Sequence, residues 1–138
     1  MNTAPIIARL QAQCNGFKYT GGVLDLTEPT LLAPNYPGAF VIPLGESADP
    51  NILAGSHLQR LHQQWGILLA IKAMRTSATD QSAELQTLRV QVRSALMGWA
   101  PDTASDPLEF SSGSLVSLEA GVLLWQDEYT TTQYLQGA

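Results

Sequence analysis

Two histidines, one cysteine and a few closely spaced acids are the side chains of this chain whose types could carry out catalysis or hold a metal. His57 and His62 stand five residues apart, a spacing that on a strand turns them to opposite faces, and the nearest downstream acid, Asp80, lies beyond the run that holds them. No HExxH pattern accompanies them, so a zinc pair is not indicated. Cys14 is the only cysteine, which rules out an intrachain disulfide and a cysteine-based metal motif. It falls on an apolar helical stripe with Ile6 and Leu10, where burial raises a thiol's pKa and makes it inert. The acid pairs Asp102/Asp106 and Asp127/Glu128 lie in a stretch without cations, and acid/base work needs one carboxyl desolvated until its pKa rises. They read as a solvated acidic surface. Gly21-Gly22 lacks both the third spaced glycine and the lysine of a phosphate loop, so it reads as a strand bend. The expectation is a non-enzyme with no catalytic residue, no metal and no cofactor.

Composition points the same way. A chain of 138 residues suits one domain over 1–138, with charged residues at 14%, hydrophobic residues at 45% and a net charge of −5. So few charges leave a surface rich in neutral groups, as in a subunit that hides surface against neighbours. From Ser94 to Ala138 there is no Lys or Arg, while Asp102, Asp106, Glu109, Glu119, Asp127 and Glu128 contribute six acids. Sequence-independent DNA binding needs several cations on one face, and seven Lys and Arg scattered along the chain do not make one. No targeting segment and no apolar run of about 20 residues is present, so neither secretion nor a membrane span is expected.

These residues need elements to hold them. Ser82 to Pro101 is the clearest: Leu85, Leu88, Val92, Leu96 and Trp99 recur at helical spacing, Asp80 or Ser82 can cap the start, and Gly98 and Pro101 stop it. A shorter helix begins with Thr3 as N-cap and Pro5 in the first turn, and stops at Asn15-Gly16. Phe17 to Leu26 reads as a bent strand, the segment spaced by Pro29, Pro34 and Pro37 as an extended loop, and Ala39 to Leu44 as a short strand. Glu46 to Gly55 collects the small and polar residues of a mobile loop. His57 to Met74 fits a helix or a strand, and the continuous apolar run Gly66 to Ile71 favours a strand buried on both faces. After the acidic loop Ala100 to Pro107, strands at Leu108 to Ser111, Ser114 to Leu118 and Val122 to Thr132 form a C-terminal β-meander. The expected fold class is α+β, a mainly antiparallel sheet with two helices packed on one face.

The order of these motifs carries a resemblance. It runs from Ile6-Ile7-Ala8-Arg9-Leu10 through Gly21-Gly22-Val23-Leu24-Asp25-Leu26 and Tyr36-Pro37-Gly38-Ala39-Phe40-Val41-Ile42-Pro43. Trp65-Gly66-Ile67-Leu68-Leu69-Ala70-Ile71 and Ala95-Leu96-Met97-Gly98-Trp99-Ala100-Pro101 follow, then an acidic, aromatic tail. This resembles the tail-terminator, or tail-completion, proteins of long-tailed bacteriophages and prophages. The resemblance implies a structural virion protein made in the host bacterial cytoplasm and placed at the upper end of the tail tube. It implies a homo-oligomeric ring, by analogy a hexamer, with the tail-tube protein and the head connector or neck protein as partners. A head-side neck or joining subunit is the nearest alternative, and a small-molecule-binding or hydrolytic α+β domain using the His57/His62 region and the acidic loop is a further one. For a domain of this length the radius of gyration is about 14 Å, and six spheres about 37 Å across leave a central hole about as wide as one subunit. Duplex DNA passes such a hole without specific binding, although five subunits would serve as well.

Within that role the expected subunit interface is Arg89 and Arg93, one turn apart on the helix's polar face, with Trp125 and Tyr129 in an otherwise polar strand. Asp102, Asp106, Glu119, Asp127 and Glu128 are the expected acidic lumen or partner surface. Reversing both arginines to Glu should then weaken assembly and spare the fold.

Overall fold

A computed structural model describes residues 1–22, 36–72, 78–119 and 121–137, with the backbone alone for 78–81. The element order is α1 (Ala4–Gln13), β1 (Tyr19–Gly22), β2 (Gly38–Ala48), β3 (Leu58–Lys72), α2 (Ala78–Leu96), β4 (Glu109–Glu119) and β5 (Val122–Gln136). The five strands form one sheet in the order β1-β2-β3-β5-β4, antiparallel except for the parallel pair β1 and β2. The α+β expectation holds, and the ambiguous run from His57 is a strand.

That strand explains the layering. Along β3, Trp65, Ile67, Leu69 and Ile71 point to one face and join Ile6 and Leu10 of α1, Leu88, Val92, Ala95 and Leu96 of α2, Val41 of β2 and Tyr129 of β5 in the main core. Ile67 and Leu69 are wholly buried, each stabilising the fold by roughly 1.5–3 kcal/mol relative to exposure. The alternate residues Leu68 and Ala70 meet Phe40 on the opposite face, with Tyr19, Tyr36, Ile42 and Leu124 around them. Cover on both faces is why the run from Gly66 to Ile71 does not alternate with polar residues.

Several boundaries differ from expectation, each for a local reason. α2 begins at Ala78, so Asp80 and Ser82 lie inside the helix instead of capping it. Its other end is as read: Gly98 takes φ +78°, a left-handed turn that favours glycine. Thr3 precedes α1 without capping it through its side chain, and Asn2 Oδ1 accepts the Ala4 N–H at 3.1 Å. β2 runs on through Pro43 to Ala48 because Pro43 lies past the end of β1, where β2 is itself an edge, and beside a bulge before Gly45. The expected mobile loop therefore shrinks to 49–57, and Asn51 organises it. Its side chain donates to Leu53 O at 2.8 Å and Ser56 O at 2.9 Å, and accepts from the Leu53 and Leu58 amides at 3.2 and 2.8 Å. The two short strands expected around Ser112-Gly113 are a single strand, β4, with irregular register at Ser111 and Val116. Residues 23–26 of the expected first strand, and Pro29 and Pro34 of the expected loop, lie outside the described residues. No described helix is long and apolar enough to cross a membrane.

Candidate functional site

The four residues expected at a subunit interface do come together, but inside one chain. Asp127 is 0% exposed in the middle of β5, on the face covered by α2. Arg89 of α2 reaches across to it: its Nε donates to Oδ1 and Oδ2 at 3.1 and 3.0 Å, and Nη2 stands 3.0 Å from Oδ1. Trp125 Nε1 donates to the same carboxylate at 2.9 Å, and the guanidinium lies 4.7 Å over the Trp125 ring. One turn along, Arg93 stands 4.9 Å over Phe110, whose ring meets Tyr129 edge-on at 5.6 Å. Both arginines therefore lie half-buried against the flank of the sheet. Tyr129 is 0% exposed, and burial first, then the Asp127 charge, push its phenol pKa well above the ordinary value.

The cluster corrects two expectations. Asp127 belongs to a buried, multiply bonded ion pair and not to an acidic surface, and Tyr129 is a core residue. The surface reading failed because α2's polar flank looks solvated on a helical wheel, while the sheet extends sideways under it through β5 and β4. Gly113 is the sequence signal for this that turn logic misassigned. A Cβ there would collide with Asp127 Oδ1 and lie 2.9 Å from Arg89 Nη2 and 3.2 Å from Trp125 Nε1, so glycine stands in the strand because the ion pair occupies the space above it.

The other acids stay on the outside. Asp102, Asp106 and Glu119 are exposed and Glu128 half-buried; Glu128 accepts from Ser112 Oγ at 3.1 Å and Gln126 Nε2 at 3.4 Å. Asp102 turns back to cap its own loop, accepting the Ala104 N–H at 2.8 Å. Asp106 borders an open groove of about 550 Å³ that also involves Glu46, Glu109, His62, Thr130 and Thr132. The histidines sit in separate networks: His57 bonds Gln59 at 2.6 Å, and His62 bonds Asp49 at 2.9 Å with Thr132 at 3.4 Å. His62 is thus engaged away from the groove's acids. Among the described residues no group of three His, Cys, Asp or Glu converges as a metal would require.

Sequence reasoning missed a further surface. Leu115 and Val116 are 53% exposed and Leu118 57% exposed on β4, an edge strand of the sheet. Ile52 and Leu53 are likewise exposed in the connection between β2 and β3, near Tyr134 and Leu135 at the end of β5. The two apolar patches lie toward opposite ends of the sheet. A family model described as phage tail terminator protein matches residues 1–137, nearly the whole chain. No curated protein matches it.

Proposed function

This chain belongs to the phage tail terminator family, whose members are structural components of the phage tail, and we propose that it closes into a homo-oligomeric ring, a hexamer by family analogy, that caps the tail tube and joins it to the head connector. The family match carries this reading. The fold supports it in one respect: away from the β4 edge, exposed apolar side chains occur on separate elements, Ile52 and Leu53 in the connection between β2 and β3 and Val90 and Met97 on and just after α2. A closed ring needs such a heterologous pair of unlike patches, because one patch must meet a different one on the neighbour.

The acidic, cation-free C-terminal third fits a lumen through which DNA slides without sticking, with Asp102, Asp106 and Glu119 as its exposed carboxylates, Glu128 half-buried and Asp127 withdrawn from it. Arg89, Arg93, Trp125 and Tyr129 then act behind the interface by fixing β4 and β5 to α2. The test is direct. Purified protein incubated with tail tubes should form a disc at one tube end in negative-stain electron micrographs and block further addition of tube subunits. Tubes that keep growing in its presence would overturn capping, and a disc found only on head vertices would favour the neck-subunit alternative.

A further inference from the structure

The free edge of β4 is built to receive another strand. Among the described residues β4 pairs on one side only, with β5. Edge strands are usually protected by proline, by lysine, by inward charges or by being very short. β4 has eleven residues, Glu109–Glu119, without a proline or a cation, and its charges stand only at the two ends. Between them Ser111 to Val116 are exposed, and Leu115, Val116 and Leu118 offer apolar side chains. The strand is also held in place from below, since the Gly113 backbone lies against the Asp127, Arg89 and Trp125 side chains. A pre-ordered edge does not have to be straightened when a partner docks.

We propose that β4 accepts, by strand addition, an extended segment of another tail protein that is neutral and apolar in its middle and carries Lys or Arg at its ends. The edge supplies main-chain hydrogen bonds, Leu115, Val116 and Leu118 supply side-chain contact, and Glu109 and Glu119 select the flanking cations. A second copy's β4 is a poor occupant. Antiparallel pairing about Ser114 brings Glu109 against Glu119 at both ends, and parallel pairing in register stacks like on like. That the partner is a tail protein rests on the role proposed above; the chemistry of the strand does not.

The full chain can be tested with a peptide of about nine residues, alternating threonine and valine with lysine at both ends, and an analogue ending in glutamate. Fluorescence anisotropy gives affinity, and hydrogen exchange locates the contact. At about 50 mM salt the lysine peptide should bind about tenfold tighter than the glutamate one, with new protection confined to 109–119, and the difference should shrink at about 0.5 M. Val116→Lys should weaken the lysine peptide about tenfold while leaving the melting temperature unchanged, because the site is exposed. Equal affinity for the two peptides, or protection elsewhere, overturns the proposal. So does protection of β4 that grows with the protein's own concentration and excludes peptide, since a second copy would then occupy the edge. If Val116→Lys still caps tubes, the edge proposal fails and the terminator role stands; if wild-type protein binds the peptide but caps nothing, the reverse holds.

Discussion

Replacing Arg89 by methionine should unfold this protein far more readily than a surface substitution would. Methionine keeps most of the arginine stem, so the change is chiefly electrostatic. It removes the guanidinium contacts to Asp127 and leaves a 0%-exposed carboxylate bonded to Trp125 Nε1 alone. Breaking a buried pair from one side costs about 3–5 kcal/mol, because the remaining charge has lost its compensation and has no water. Against a total stability of about 5–15 kcal/mol this removes about a fifth or more of the folding free energy. For a domain between the sizes where 1 kcal/mol shifts Tm by about 4–8 °C and by about 2–4 °C, it corresponds to a fall of roughly 10–20 °C.

Urea unfolding followed by tryptophan fluorescence, at one fixed protein concentration so that any assembly contributes equally, measures it. The companion is Arg89→Met with Asp127→Asn, which removes both charges and lets the amide oxygen keep the Trp125 bond. It should recover more than half of the loss, because an uncharged buried group costs far less than an unpaired ion. A cost below about 1 kcal/mol for Arg89→Met, or a double variant no better than the single one, would refute the argument. The same geometry explains why reversing Arg89 and Arg93 cannot test assembly: Glu at 89 would face Asp127 inside the fold.

Three further outcomes follow from the same side chains. The Tyr129 hydroxyl is buried with no hydrogen-bond partner among the described residues, so Tyr129→Phe should be close to neutral at pH 7. Its pKa is raised in the fold, so above the unfolded value of about 10 the unfolded chain releases a proton that the folded chain keeps. Wild-type stability should therefore fall with rising pH from about 10, less steeply for Tyr129→Phe, and superimposable denaturation series would count against this reading. Gly113→Ala should cost about 1–3 kcal/mol by driving a methyl into the Asp127 and Arg89 side chains, seen as a lower urea midpoint with an unchanged slope. Burial raises the Cys14 thiol, partly opposed by Arg9, so a thiol reagent should label native protein slowly and urea-unfolded protein at once; rapid native labelling would exclude the buried position.

What was legible in the sequence was periodicity. Leu88, Val92 and Leu96 on α2, Ile6 and Leu10 on α1 with Cys14 just past its end, and the unbroken apolar run of β3 announce their buried faces because each pattern is local. What was not legible depended on what lies sideways of an element. Gly113 in a serine-rich stretch has the local appearance of a turn, and only the ion pair above it, joining residues 38 positions apart, explains why the strand continues. Likewise Tyr129 and Asp127 sit among Thr130, Thr131 and Thr132 in a polar strand, yet they alternate inward, and the residues that cover them come from α2 and β4.

That misreading bears on how the protein would assemble. Had Arg89, Arg93, Trp125 and Tyr129 faced solvent, a charged patch would have offered itself to any acidic neighbour, and salt would have governed the contact. Folded inward, they leave an outer strand whose middle is neutral and apolar and whose ends are acidic. The buried ion pair then works on specificity at one remove, since it fixes the backbone of Gly113 and with it the plane of the edge that a partner strand must match. Loosening the pair without unfolding the chain, as Arg89→Met with Asp127→Asn should do, is therefore expected to weaken binding at β4 more than it weakens the fold. The comparison is the change in peptide affinity against the change in urea midpoint. Unchanged peptide affinity in that double variant would show that β4 holds its shape through its pairing with β5 alone.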